Sequence, residues 1–261
     1  ARHNHALSMK EAGDPQQAAA LLAELIPHYT RTLGPDHLET LLARHNHALS
    51  VQEAGDPQHA TALLAELIPH YTRTLGPDHL ETLNARHNHA ASVREAGNPE
   101  HATALFTELI PHHTRTLGPD HVNTLLARNN HALSVREAGN PQQATALFTE
   151  LIPHHTRTLG PDHVNTLNAR HDHALSVQEA GNPQQATALF TELIPHYTCT
   201  LGPDHPTTLL ARHNHALSVR EAGDSQHATA LLDKLIYDCT RTLGPDHPAT
   251  RRSREYRDRY L

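Results

Sequence analysis

Leu75-Gly76-Pro77-Asp78-His79 returns with the same five residue types at Leu33, Leu117, Leu159, Leu201 and Leu243, each copy 42 residues from the last. A fixed period of this size marks stacked supersecondary units rather than one globular core. A second mark, Glu-Ala-Gly, ends at Gly13, Gly55, Gly97, Gly139, Gly181 and Gly223. All 12 glycines of the 261 residues therefore punctuate the repeat, and none is left for a phosphate-cradling loop.

Between two copies of the pentapeptide the sequence predicts two helices. Asp36, with Glu39 three residues on, has capping-box spacing, and Gly55 supplies a left-handed stop, which gives a helix A over roughly 37–54. Asp56-Pro57 then opens helix B as N-cap and first-turn proline, and Gly76-Pro77 ends it. In the fourth unit Ala144, Leu147, Phe148 and Leu151 fall on one face at helical spacing. Pro27, Pro69, Pro111, Pro153 and Pro195 lie well inside helix B, where a missing N–H predicts a kink, and Tyr237 spares the sixth unit.

Gly139-Asn140-Pro141-Gln142-Gln143-Ala144 followed by Phe148 resembles the tetratricopeptide pattern of a Gly turn, a small Ala and a large apolar residue one turn later. The 42-residue length, the pentapeptide linker and Asn129-Asn130-x-Ala132 are similar to the kinesin-light-chain-type subclass, which also occurs in bacterial repeat proteins. The resemblance covers essentially the whole chain and implies an all-α, right-handed superhelical solenoid of antiparallel helix pairs. Arg128 and His131 depart from it, standing where the family often has large apolar side chains. Residues 1–247 read as six repeats, the first truncated at its start, since Ala1-Arg2-His3-Asn4 aligns with Ala43-Arg44-His45-Asn46 inside a helix A. That alignment is what a piece of a longer array would give. Residues 248–261, with Arg251, Arg252, Arg254, Arg257 and Arg259, read as a polar capping helix, the device a solenoid uses to cover its last core face.

Laid out at about 100° per residue, helix A has two faces. Leu125, Arg128, His131, Ala132, Val135 and Ala138 share an arc suited to packing. Leu126, Asn129, Asn130, Leu133, Arg136 and Glu137 share the other, which in the family lines the concave groove for an extended peptide. Comparing the repeats with one another separates the two. Arg2, Arg44, Arg86, Arg128, Arg170 and Arg212 never change, whereas Leu42 becomes Asn84, Leu126, Asn168 and Leu210, and Gln52 alternates with Arg94, Arg136, Gln178 and Arg220.

The candidate peptide-binding residues are therefore Asn46, Asn88, Asn130, Asp172 and Asn214, with His45, His87, Asn129, His171 and His213 beside them. Asn84, Asn168, Arg94, Arg136 and Arg220 complete the set. Asparagine carries a donor and an acceptor on one short side chain and so matches a peptide backbone, while arginine can hold a carboxylate with two parallel bonds.

The function is expected to be a non-catalytic scaffold for a peptide or partner protein. Self-association, a spacer role or a sensor segment of a larger nucleotide-dependent signalling protein are the alternatives. A formal charge of −7 removes the general electrostatic case for a nucleic-acid partner. No apolar run reaches spanning length, and two cysteines fit a reducing cytosol, so a cytoplasmic protein without membrane contact is expected. Serines such as Ser50, Ser134 and Ser176 recur at one repeat position, which is a poor arrangement for an active site. The 27 histidines raise the question of metal. His45 and His47, two apart, point to different sides of a helix, so neither a metal nor any other cofactor is expected. His47, His89 and His131 lie near the packing arc, and buried neutral imidazoles there predict a loss of stability below about pH 6.5.

Overall fold

The computed structural model describes residues 2–260, together with their side chains except those of residues 2–4, 7 and 11. The alignment of the first four residues with Ala43-Arg44-His45-Asn46 lies outside the described side chains. Among the described residues there are thirteen α-helices and no strand: α1 (Arg2–Glu11), α2 (Pro15–Leu33), α3 (Leu38–Glu53), α4 (Pro57–Leu75), α5 (Leu80–Glu95), α6 (Pro99–Leu117), α7 (Val122–Glu137), α8 (Pro141–Leu159), α9 (Val164–Glu179), α10 (Pro183–Leu201), α11 (Pro206–Glu221), α12 (Ser225–Leu243) and α13 (Pro248–Tyr260). From α2 to α12 helices of 19 and 16 residues alternate, the B and A helices of the repeat. No described helix is long and apolar enough to cross a membrane.

Two compact units, residues 1–134 and 135–261, divide the chain within α7. In the first, Leu41 of α3, Leu67 and Tyr71 of α4 and Ala85 of α5 form one buried cluster, so each helix B is clasped between its own helix A and the next. Leu83, Ala90, Phe106, Leu109 and Ala127 repeat the arrangement one step on. The second unit builds the same core from Leu167, Leu193, Tyr197 and Ala211, and again from Leu209, Ala216, Leu232, Leu235 and Cys239. Alanines at 0% exposure on both helices let the axes approach to the ~8–10 Å that ridge-into-groove packing needs.

Gly55 has φ +94°, and the amide of Asp56 donates to the carbonyl of Val51 at 3.1 Å, the six-to-one bond of a Schellman stop. Asp56 accepts from the His59 amide at 3.0 Å, as its N-cap position predicts. The cap of helix A is different from the sequence expectation. His37, not Asp36, is the N-cap of α3, and its Nδ1 accepts from the Glu39 amide at 3.3 Å. His79, His121, His163, His205 and His247 do the same for α5, α7, α9, α11 and α13.

Asp36 is turned away because its carboxylate is taken elsewhere: His70 and Arg73, in the last turns of α4, reach it at 2.5 and 2.6 Å. Asp78 is held likewise by His112 and Arg115, and Asp162 by His196. A fully buried threonine completes each linker, Thr40 donating to the Gly34 carbonyl and Thr82 to that of Gly76, both at 2.8 Å.

The interior prolines do not divide helix B. α4 runs 19 residues through Pro69, as long as α12, which carries Tyr237 at the matching place.

Candidate functional site: the helix A groove

In the first unit α3, α5 and α7 line a pocket of about 350 Å³. Its walls are Leu42, Leu49 and Leu126, its polar lining is Asn46, Glu81, Asn84, Asn88 and Asn123, and His45, His87 and His113 form its floor. Six of these come from helix A positions 42, 45, 46, 84, 87 and 88, three columns of the repeat that the helical spacing had placed on one face.

The floor is more deeply set than the periodicity implied. His45, His171 and His213 are only 5–6% exposed. Each packs edge-on against an aromatic ring, His45 on Tyr71, His171 on Phe190 and His213 on Tyr256. His87 lies edge-on to Phe106 and to His113. Burial pushes the imidazole titration of His45, His87, His171 and His213 down to about 4, with smaller contributions from Lys10 at His45, from His113 and then Arg94 at His87, from Arg136 at His171 and from Arg252 at His213. These rings are neutral at neutral pH.

Part of the asparagine column is spent on holding this floor. The Asn88 amide donates from Nδ2 to His45 Nε2 at 2.8 Å, Asn130 to His87 at 3.1 Å and Asn214 to His171 at 2.9 Å. Each bond ties one helix A to the next. With the amide nitrogen as donor, the ring must accept at Nε2 and carry its proton on Nδ1.

The neighbouring column takes the opposite tautomer. The Thr107 hydroxyl gives its one proton to the Thr103 carbonyl, so the His131 Nε2 that meets it at 3.1 Å is the donor. His173 on Thr149 and His215 on Thr191 repeat this. Burial lowers the titration of His47, His89, His131, His173 and His215 as well, the direction on which the expected pH dependence of that column rests. The larger shifts belong to the floor column, which the sequence had placed in the groove.

The remaining candidates divide by position. Asn46 and Asn84 line the pocket. Asn129, half-buried, has a buried Oδ1 with no hydrogen-bond partner among the described residues. Asn168 accepts from the Tyr197 hydroxyl at 2.8 Å. Asp172 lies 3.5 Å from Arg136.

None of the three arginines stands apart from acidic or aromatic neighbours. Arg94 lies 3.7 Å from Glu95, Arg136 also 3.8 Å from Glu179, and Arg220 sits over the rings of Tyr256 and Tyr260 at 5.2 and 5.0 Å.

Sequence reasoning missed Gln52 and Gln178 as ties between repeats. Gln52 accepts from Ser92 at 2.7 Å and donates to Glu95 at 2.6 Å, and Gln178 does so with Ser218 and Glu221. It also missed His113, which reaches the floor from helix B. The signal for it was present in the column Tyr29, Tyr71, His113, His155, Tyr197, Cys239. Among the described residues no group of three or more His, Cys, Asp or Glu is disposed to hold a metal ion.

Helix pairs of fixed length, a Schellman stop in each, a helix B clasped by two helices A and a helix A groove together define a helical-repeat protein of the tetratricopeptide class. The family model described as the tetratricopeptide repeat matches residues 1–73 and 126–198, and a second of the same description matches 82–123 and 208–249. The chain belongs to the tetratricopeptide repeat family.

Among solved structures it is similar to a kinesin-light-chain-type protein of Podosopora anserina with nearly identical TPR-like repeats: 25% identity, TM-score 0.69, 78% of this chain and 96% of that one. It is similar in fold to BtubC (BKLC) from P. vanneervenii, at 15% identity and TM-score 0.70 over 90% of this chain and 94% of the other. NprR, solved in complex with its cognate peptide NprX, matches at 14% identity and TM-score 0.69 over 99% of this chain and 72% of NprR. Comparison with curated protein sequences returns no match.

Proposed function

We propose that this chain is a non-catalytic scaffold that receives an extended peptide, or an extended segment of a partner protein, in the groove lined by helix A of successive repeats. The observation that carries this reading is the pocket in which Leu42, Asn46 and Leu49 of α3, Asn84 and Asn88 of α5 and Asn123 and Leu126 of α7 converge. Apolar walls with a few convergent amides are the lining expected of a recognition cleft. The amides can pair with a ligand backbone at successive repeats, each contact contributing about 1 kcal/mol, so affinity depends on several repeats acting together. Two neighbours of the same fold lend support: NprR, bound to its cognate peptide, and YrrB, described as a TPR protein with an unusual peptide-binding site.

The test is selection of binders from a random peptide library by the full chain, followed by Leu126→Arg, which places a bulky charge in the groove wall. Binding weakened at least about tenfold with an unchanged melting temperature is the expected result. Equal binding by the folded variant would remove the groove from consideration.

A further inference from the structure

The repeats carry an internal comparison that no single site could offer. One helix A position and the helix B position 29 residues later recur together in successive repeats. In the α9–α10 pair these are Asn168 and Tyr197, and the tyrosine hydroxyl donates to the Asn168 amide oxygen at 2.8 Å. In the α3–α4 pair they are Leu42 and Tyr71, and the Tyr71 hydroxyl has no hydrogen-bond partner among the described residues. In the α5–α6 pair they are Asn84 and His113. The asparagine is present, as at Asn168, but the ring that would reach it has lost the hydroxyl.

His113 is 0% exposed, and neither of its ring nitrogens has a hydrogen-bond partner among the described residues. A buried imidazole left so is costly, and such a group in a native fold calls for a partner. His113 and Asn84 both line the 350 Å³ pocket of the groove, between the walls of Leu42 and Leu126.

We propose that this pocket receives an aliphatic hydroxyl of the ligand, a serine or threonine side chain, which stands between Asn84 and His113 where the Tyr197 hydroxyl stands against Asn168. The proposal rests on the groove reading above and gives that groove a side-chain preference.

The chemistry selects a hydroxyl over its competitors. A neutral imidazole donates from one nitrogen and accepts at the other, and an amide does both, so a group that itself donates and accepts can pair with one ring nitrogen and with the amide at once. Burial keeps His113 neutral, its titration lowered to about 4. Carboxylates and phosphates are disfavoured because Glu81 lines the same pocket and the floor imidazoles bring no positive charge. A purely apolar side chain would leave the His113 nitrogens unpaired, so a hydroxyl that pairs one of them is preferred over an analogue lacking it. The place to be filled is that of one hydroxyl, of the order of the ~30 Å³ of a water molecule.

Two measurements decide it. Ethanol, the smallest analogue of the threonine side chain, is titrated into the full chain while the Asn84 amide and His113 imidazole resonances are followed. Saturable movement of both is expected, and its loss in His113→Tyr. Tyr71 and Tyr197 show that the fold accommodates tyrosine at this place in the repeat. Asn84→Leu, which copies the residue type found at Leu42, is the second variant. Absence of a saturable response, as for a pocket that takes only water, overturns the proposal.

Peptides selected from a random library by the wild-type chain are expected to be enriched in Ser or Thr at one position. Replacement of that residue by Ala should weaken binding about tenfold. In His113→Tyr the enrichment should vanish while the rest of the selected profile stays, and in Asn84→Leu the enrichment should vanish as well. Enrichment that survives both substitutions also overturns it. A library that yields no binders defeats the scaffold reading, and the ethanol titration then decides the pocket alone.

Discussion

The same residue type serves two regions of this molecule in opposite ways. On the groove floor His45, His87, His171 and His213 are packed edge-on against aromatic rings and are kept neutral by burial. In the linkers His70 and His112 stand beside Arg73 and Arg115 around a carboxylate at the surface, and the hydrogen bonds from Arg73 and Arg115, then from the histidines, hold Asp36 and Asp78 below the usual carboxylate range. Depth decides the difference. A buried ring takes one amide, whereas a half-buried ring shares an anion with a guanidinium at the surface. The floor should therefore respond to protons and to deletion of an amide, and the linkers mainly to salt.

The largest expected effect is that of pH on the floor. In the unfolded chain these imidazoles titrate near 6.5, and in the folded chain near 4. Between those values the unfolded state holds more protons, so stability that is intact above about pH 6.5 is lost as pH falls toward 4. Each floor ring contributes on the order of 3 kcal/mol across the window. Melting temperature should fall steeply between about pH 6.5 and about pH 4.5, and His171→Asn should flatten the slope. A slope the variant leaves unchanged would mean that the floor is not where the protons go.

Next in size is the amide. Asn88→Ala removes the bond to His45 and leaves a buried acceptor unpaired, which should cost about 1–3 kcal/mol in denaturant unfolding. A loss under about 0.5 kcal/mol would show that the tie between α3 and α5 contributes little.

The smallest effect belongs to the linker. Arg73, with a side chain 61% exposed, should cost under about 1 kcal/mol when changed to Ala, and the difference should shrink in high salt. An Arg73→Ala loss equal to that of Asn88→Ala would erase the contrast between the regions.

How far the sequence reached follows the same division between local and distant partners. Gly55, Asp56-Pro57 and the pentapeptide act on their own neighbours, so the helix pairs could be placed from them alone. Asp36 was misread as a cap because its partners, His70 and Arg73, lie 34 and 37 residues on, and only the fold brings them to it. The helix face that lines the pocket could be read from helical spacing, because Leu42, Asn46 and Leu49 fall on one side. The depth of His45 was not, since its position falls at the border of two arcs, and the ring of Tyr71 that covers it comes from the other helix.

No hydrogen bond described above spans more than 43 residues. A chain wired only to its immediate past and future carries its tertiary rules within little more than one period, so a unit can be copied or deleted without breaking any class of contact. The identical stretches 102–125 and 144–167 are what such a permissive grammar leaves behind. The groove could thus be lengthened by recombination first, and single places such as Asn84 and His113 rewritten afterwards.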